Sequence, residues 1–373
     1  MKKLTLAILI SLILISMSGC NKGKDSNVDN LTPTPQPIVT LPAEVTPGEE
    51  EIEDGVGEEE PLTVSDYFPL EADTEYIYEG EGNEYAAYHR YVDYIDLENN
   101  LVQTRTDNGG TVTVRVLQIK DGTLSVVYLA NESYYRDNFM DKATDTEAEV
   151  LLMEPLKKGT NWTLSDGRRR LISEEKVPIS TPYGSFDALE VTTESEDSTT
   201  KDYYAVEVGL VKSVFLSEGM EVSSTLKAVN KDAAMKQMIM MYYPDADEKI
   251  YTRQLELSLK TGEELRTVLE AAMQKTPPKD TYIPLMSVNT RINSISLDEN
   301  NIVQVDFTKE FVTEANLGSG YELLLLQSVT NTLGYYFGAT KVVITIEGKP
   351  YESGHVMMEE GEAFEVDVED VVS

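Results

Sequence analysis

From about residue 65 to residue 230 the pattern is strand-like, with apolar residues at every second position in its clearest run. In Thr111-Val-Thr-Val-Arg-Val116 this puts Val112, Val114 and Val116 on one face of an extended strand. On a helix Val114 would lie roughly 200° from Val112 and on the side opposite to it and Val116, so the three would not share a face. Turn signals punctuate the pattern at Asn108-Gly109-Gly110, Asp121-Gly122, Asp166-Gly167 and Tyr183-Gly184. β-Branched and aromatic residues crowd 85–97, 124–130 and 202–216. Only Asp141–Glu154 has a spacing that would pass for a helix. The pattern predicts an antiparallel β-rich domain over 65–232, twisted or partly closed.

Near residue 233 the period changes. Met238–Tyr243 and Gln254–Leu259 read as strands. A helix is expected from Thr261, where Thr261 and Glu264 fit a capping box, with Leu265, Val268, Leu269, Ala272 and Met273 as its apolar stripe and Pro277-Pro278 as its stop. Ile292–Leu297 and Ile302–Phe307 read as a hairpin across Asp298–Asn301. A second helix is expected from Ser319, with Ser319 and Glu322 as another capping box. It would bury Leu325, Leu326, Val329 and Leu333, expose Gln327 and Thr330, and stop near Gly334. Lys341–Ile346 reads as a last strand. The fold class is α+β: the β-rich domain, then over 233–373 a sandwich in the order β-β-α-β-β-α-β, with both helices on one face of a sheet.

Ahead of both regions stand Lys2 and Lys3, an apolar run Leu4–Met17, and then Met17-Ser18-Gly19-Cys20. The run of 14 residues falls short of the roughly 20 that cross a bilayer but suits a signal peptide. Its end resembles the bacterial lipobox, in which small residues precede a Cys that is acylated before cleavage. That resemblance implies a signal peptide over 1–19 and diacylation of Cys20, palmitate being a suitable chain. Two acyl chains hold a protein stably at a membrane, where one does so marginally. Residues 20–64 contain Pro33, Pro35, Pro37, Pro42, Pro47 and Pro61 and an acidic run from Glu49 to Glu60. With no apolar period to bury, they are expected to form a disordered tether.

The C-terminal motifs carry a resemblance. Met240-Met-Tyr-Tyr-Pro-Asp245, Ile302-Val-Gln-Val-Asp-Phe-Thr308, Gly318-Ser-Gly-Tyr-Glu-Leu-Leu-Leu-Leu326, Val329-Thr-Asn-Thr-Leu333 and Val343-Ile-Thr-Ile-Glu-Gly348 together resemble the GerMN domain, the sporulation and spore germination domain of endospore formers, over about 240–355. The resemblance implies a fold similar to the ring-building modules of sporulation complexes, an extracytoplasmic location and a role in protein–protein assembly without catalysis. Thr181-Pro-Tyr-Gly-Ser-Phe186 and Tyr203-Tyr-Ala-Val-Glu-Val-Gly-Leu-Val-Lys212 are similar to a β-rich module of secreted bacterial lipoproteins, which implies no activity.

Charge narrows the partners. Lys plus Arg is 31 against 66 Asp plus Glu, a net charge of −35. That argues against nucleic acid, whose phosphates are read by clustered cations, and against electrostatic docking on anionic lipid. A single Cys forms no intramolecular disulfide, and two His are too few for a His-rich metal site. His89 and His355 lack a Ser in a nucleophile-elbow context and read as surface residues. Asp245, Asp247 and Glu248 could offer oxygen ligands to Ca²⁺, but without EF-hand spacing they read as an acidic turn. Arg168, Arg169 and Arg170 could meet an anionic headgroup or wall polymer, though a charge-guarded edge strand is the simpler reading. Tyr76, Tyr78, Tyr85, Tyr88, Tyr91 and Tyr94 could stack on sugars, or half of them could face the core. No catalytic residue, metal ligand or cofactor is assigned. The chain is expected to be a non-enzymatic lipoprotein outside the cytoplasm, attached to the cell membrane through Cys20 and partnered by an envelope protein complex. The alternative is a carbohydrate or cell-wall binder that contacts peptidoglycan through its Tyr-rich sheet.

Overall fold

The computed structural model describes residues 61–146 and 148–372; the signal peptide, Cys20 and nearly all of the expected tether lie outside them. Twelve strands build the first region: β1 (Glu75–Glu81), β2 (Tyr88–Asp96), β3 (Leu101–Asp107), β4 (Val112–Lys120), β5 (Thr123–Ala130), β6 (Glu149–Met153), β7 (Asn161–Thr163), β8 (Arg169–Ser180), β9 (Ser185–Glu194), β10 (Ser198–Ala205), β11 (Gly209–Ser217) and β12 (Met220–Asn230). Their order across one sheet is β6-β5-β4-β3-β2-β1-β12-β11-β10-β9-β8-β7. The chain meanders from β1 out to β6, restarts at the far edge with β7, and meanders back until β12 pairs antiparallel with β1.

The two edge strands meet again in space. Trp162 Nε1 on β7 and Arg170 Nη1 on β8 both donate to the Val150 carbonyl on β6, at 3.0 and 2.6 Å. One buried apolar cluster also draws on all twelve strands, with Tyr78, Leu117, Leu152, Trp162, Leu189 and Leu226 among its members. An open, flat sheet could not gather these side chains into one cluster. The sheet is therefore curled into a barrel whose seam is closed by side chains. A 3₁₀ turn at Val64–Tyr67 leads into it, and Val64 and Tyr67 join the same cluster. Val64, placed in the tether by the sequence reading, is already core at 1% exposure. The helical spacing of 141–154 is also misleading. Its second half is β6, whose Leu152 is fully buried in the barrel.

The second region holds β13 (Met235–Pro244), β14 (Ile250–Leu259), α1 (Leu265–Met273), β15 (Ile292–Leu297), β16 (Ile302–Phe307), a short α2 (Glu310–Thr313), α3 (Ser319–Phe337), β17 (Lys341–Ile346), β18 (Lys349–Pro350), β19 (Phe364–Glu365) and β20 (Val371–Val372). The expected order of elements is present, and the β15–β16 hairpin turns across Asp298–Asn301, where the Asp298 carboxylate accepts from the Asn300 and Ile302 amides. The layering differs from expectation. There are two sheets: β13-β14-β20, and β15-β16-β17-β18 with β19 also on β17. α3 packs against β13 and against β16 and β17, so it does not lie with α1 on one face of a single sheet. Its polar residues fit that position. Thr332 Oγ1 accepts from the Tyr242 amide at 3.1 Å. The Asn331 side chain accepts from the Asp367 amide and donates to its carbonyl, standing in for a strand neighbour.

Three local expectations for the helices are corrected. α1 begins at Leu265 after Glu264, and no side chain caps it; Thr261 is held elsewhere, as described below. α3 begins at Ser319, but Gly318 is its N-cap and no side-chain cap is made. Glu322 instead accepts from the Tyr351 hydroxyl at 2.7 Å. Gly334 does not end α3. The helix runs to Phe337, and Gly338 supplies the left-handed C-cap at φ 67°. The missing Cβ of Gly334 is needed for packing, since one would sit 2.2 Å from Val366 Cγ2.

Candidate functional site

The barrel encloses a cavity of about 410 Å³. It follows from the strand pattern, but with the polar set facing inward. On β4, Val114 and Val116 point outward into a separate small cluster with Leu101, Val127 and Phe139. The alternate residues Thr113, Arg115 and Leu117 therefore face the cavity. β2 likewise sends in Tyr88 and Arg90, β8 sends Arg170, and β10 sends Asp202 and Tyr204. Three of the ten arginines of the sequence thus line one cavity in a strongly acidic chain.

Their environments differ. Arg170 is 5% exposed; it pairs with Glu149 at 2.8 Å and donates to Thr193 Oγ1 and to Val150. Arg90 is half-buried, 4.6 Å above the Tyr76 ring, and donates to the Tyr78 hydroxyl at 3.2 Å. Arg115 is exposed and, among the described residues, makes no salt bridge within 4.0 Å. Asp202 accepts from Ser213 Oγ at 2.6 Å. Burial pushes its carboxyl up, against the lowering pull of the Ser213 hydrogen bond and of Arg170 and Arg115. Burial, reinforced by Asp202, also raises the Tyr204 phenol. Leu117, Leu124, Leu151 and Leu210 supply an apolar part of the wall. Ser213 is the hydroxyl held by Asp202, and among the described residues no imidazole lines the cavity.

A second polar centre joins the barrel to the region beyond it. Asp93, with 0% exposure, faces two buried guanidinium groups: Arg105 Nε lies at 3.1 Å and Arg136 Nη1 at 3.6 Å. Gln103 Nε2 donates to the same carboxylate at 3.1 Å. Arg136 Nη2 donates to the carbonyls of Asp93 and Lys260, at 2.6 and 2.7 Å. Beside it, Thr261 Oγ1 donates to Val92 and accepts from the Asp73 amide, and the Gly262 amide donates to the Asp93 carbonyl. Thr261 is thus a clamp between regions, and that is why it does not cap α1.

The residues singled out in the sequence are scattered. Cys20 lies outside the described residues. His89 contacts Glu75 at 2.8 Å, and His355 is exposed in a turn. Asp245 is 4% exposed and accepts from Thr281 Oγ1 and Lys279 Nζ, so its carboxylate is engaged in the fold. Among the described residues no group of three His, Cys, Asp or Glu is placed to hold a metal ion. The three adjacent arginines divide. Arg168 and Arg169 are surface ion pairs with Asp166 and Glu194, whereas Arg170 is internal and does not guard an edge. Tyr76, Tyr78 and Tyr94 are buried, Tyr88 lines the cavity, and Tyr85 is 52% exposed. Arg90, Arg115, Asp202 and Tyr204 were missed in the sequence. Each occupies a polar or aromatic position in an alternating strand, which reads as solvent-facing until the sheet is known to curl.

Residues 240–352 match the Germane family, described as sporulation and spore germination, and this segment is a GerMN-like domain. Among solved structures, the chain is similar to the tandem GerMN domains of the sporulation protein GerM from Bacillus subtilis, with 19% identity, 35% of this chain and 46% of that one covered, and a TM-score of 0.26. The first GerMN domain of the same protein gives 22% identity, 37% and 97% coverage, and a TM-score of 0.26. A Clostridium perfringens protein described as a candidate lipoprotein gives 16% identity, 35% and 87% coverage, and a TM-score of 0.24. The chain thus spans less than half the length of the tandem protein. No curated protein matches it.

Proposed function

We propose that this chain is a non-enzymatic, extracytoplasmic protein, anchored to the cell membrane through acylated Cys20, whose GerMN-like domain mediates protein–protein assembly in the envelope during sporulation or germination. The observation that carries the reading is the match of 240–352 to the sporulation and germination family. It is supported by the lipobox-like Met17-Ser18-Gly19-Cys20. No described helix is long and apolar enough to cross a membrane; in this reading the acyl group on Cys20 is the attachment. The surface to probe is α3, where Leu323 and Tyr335 are 53% and 60% exposed.

The test replaces Leu323 and Tyr335 with Arg in the full chain and follows localisation and co-isolation of envelope proteins in the producing cell. Thermal unfolding should stay near the parent's while co-isolation is lost. If charge substitutions at every exposed position of the GerMN-like domain leave both readouts intact, the assembly reading falls, and retention on isolated peptidoglycan becomes the next measurement. Cys20→Ala should abolish acyl labelling; a labelled variant would remove the anchor from the proposal.

A further inference from the structure

The barrel cavity is lined by Glu149 and Asp202, yet two of its three arginines have no carboxylate within 4.0 Å among the described residues. Acidic residues outnumber basic ones 66 to 31, so a carboxylate is easily found for an arginine. Seven of the ten arginines have one within 4.0 Å: Arg105 and Arg136 on Asp93, Arg168 on Asp166, Arg169 on Glu194, Arg170 on Glu149, Arg266 on Glu264 and Arg291 on Glu270. Of the three without a carboxylate among the described residues, Arg253 is exposed on β14, and the other two, Arg90 and Arg115, line the same cavity. They stand on β2 and β4, with only β3 between, so their backbones are about 10 Å apart laterally. Two arginine side chains can converge across that gap on one group. The same wall carries Thr104 and Thr106 and also Leu117, Leu124, Leu151 and Leu210. The volume of about 410 Å³ lies within the roughly 300–1,000 Å³ usual for small-molecule sites, which are mostly apolar with a few convergent polar groups.

We propose that the barrel interior binds a small amphipathic acid, its carboxylate or phosphate held by Arg90 and Arg115 and its apolar body laid against the leucine wall. The guanidinium fork matches both anions in two-point geometry, which a lysine would not do. Arg170 already has Glu149 and forms part of the wall. This site is separate from the GerMN-like domain, and its test does not depend on the assembly reading.

The full chain is titrated by calorimetry with decanoate, decyl phosphate and decanol, three probes with the same tail and different heads. At least one of the acids should bind saturably at one per chain, and decanol at least about tenfold more weakly, since its hydroxyl cannot accept the charged two-point hydrogen bonds of a guanidinium. A preference for decyl phosphate points to a phosphate-bearing ligand, a preference for decanoate to a carboxylic acid. Arg115→Gln, at an exposed position without an ion-pair partner, should fold normally and weaken acid binding by about tenfold or more. Arg90→Lys keeps the charge beside the Tyr76 ring but loses the fork, and should weaken binding while leaving the melting temperature close to the parent's. Absence of saturable binding by either acid below about 1 mM, equal binding of decanol, or unchanged acid affinity in Arg115→Gln would each overturn the proposal.

Discussion

Asp93 illustrates how one side chain can be essential to a fold without taking part in a binding site. It is one carboxylate among two buried guanidinium groups, so the three deletions are not equivalent. Removing Arg136 leaves a neutral Asp93–Arg105 pair and takes one donor from each of the Asp93 and Lys260 carbonyls, which keep the Gly262 and Glu263 amides. That should cost no more than about 1–3 kcal/mol in all. Asp93→Asn leaves two like charges facing each other with no carboxylate, and the cost of an uncompensated buried charge is about 3–5 kcal/mol. Urea unfolding of both variants should therefore rank Asp93→Asn as the more damaging. An Asp93→Asn protein within about 1 kcal/mol of the parent would mean that water enters the cluster and screens it. Asp93 was not legible as such in the sequence. It stands in Tyr91-Val-Asp-Tyr94 as a polar residue of an alternating strand, and only the segment 133–139 folding over that face makes it internal.

At the scale of elements, period and turn chemistry were legible and layering was not. Val112, Val114 and Val116 do share a face, and the alternation did indicate β4; yet that face is the outside of the barrel, because Phe139 and its neighbours cover it. α3 is the clearest case. Leu325, Leu326, Val329 and Leu333 are all buried as their spacing predicts. Thr330, which a one-sided helix would expose, is 0% exposed because β13 and the C-terminal tail occupy the second side. An amphipathic stripe reports one buried face; small polar residues on the opposite face do not announce a second. The consequence is testable on one helix. Leu323→Arg, at an exposed site, should change stability by no more than about 0.5 kcal/mol. Thr330→Arg forces a charge into a packed, unpaired position and should unfold the domain or cost several kcal/mol. Ser319→Ala should be nearly silent, since no cap is lost. Circular dichroism melts of the three would decide, and a mild Thr330→Arg would place that side of α3 in contact with solvent.

For the whole molecule the question is whether two cores make two independent domains. From residue 60 onward the chain forms one compact unit. Its apolar clusters nonetheless follow the change of period near residue 233: the buried members of the barrel cluster end at Leu226, and those of the C-terminal cluster begin at Ile239. What crosses between them is largely polar: Arg136 to Lys260, Thr261 to Val92 and Asp73, Gly262 to Asp93, and Gln237 to Tyr134, with Tyr135 packed on Phe337 as an apolar contact. Apolar burial is the dominant favourable term in folding, so fragments 65–232 and 233–373 should each fold. Each would also expose one half of the junction, and a buried donor or acceptor that loses its partner costs about 1–3 kcal/mol. Both fragments should therefore unfold at lower urea than the same regions do in the full chain. Trp162, the sole tryptophan, sits in the barrel core and reports on that half by fluorescence, while far-ultraviolet circular dichroism follows α1 and α3. In the full chain the two signals should coincide; in the fragments they should separate, each shifted down. If fragment 233–373 has the same midpoint as in the full chain, the junction adds no stability. If it does not fold at all, its core depends on the barrel, and the idea of two self-sufficient cores fails.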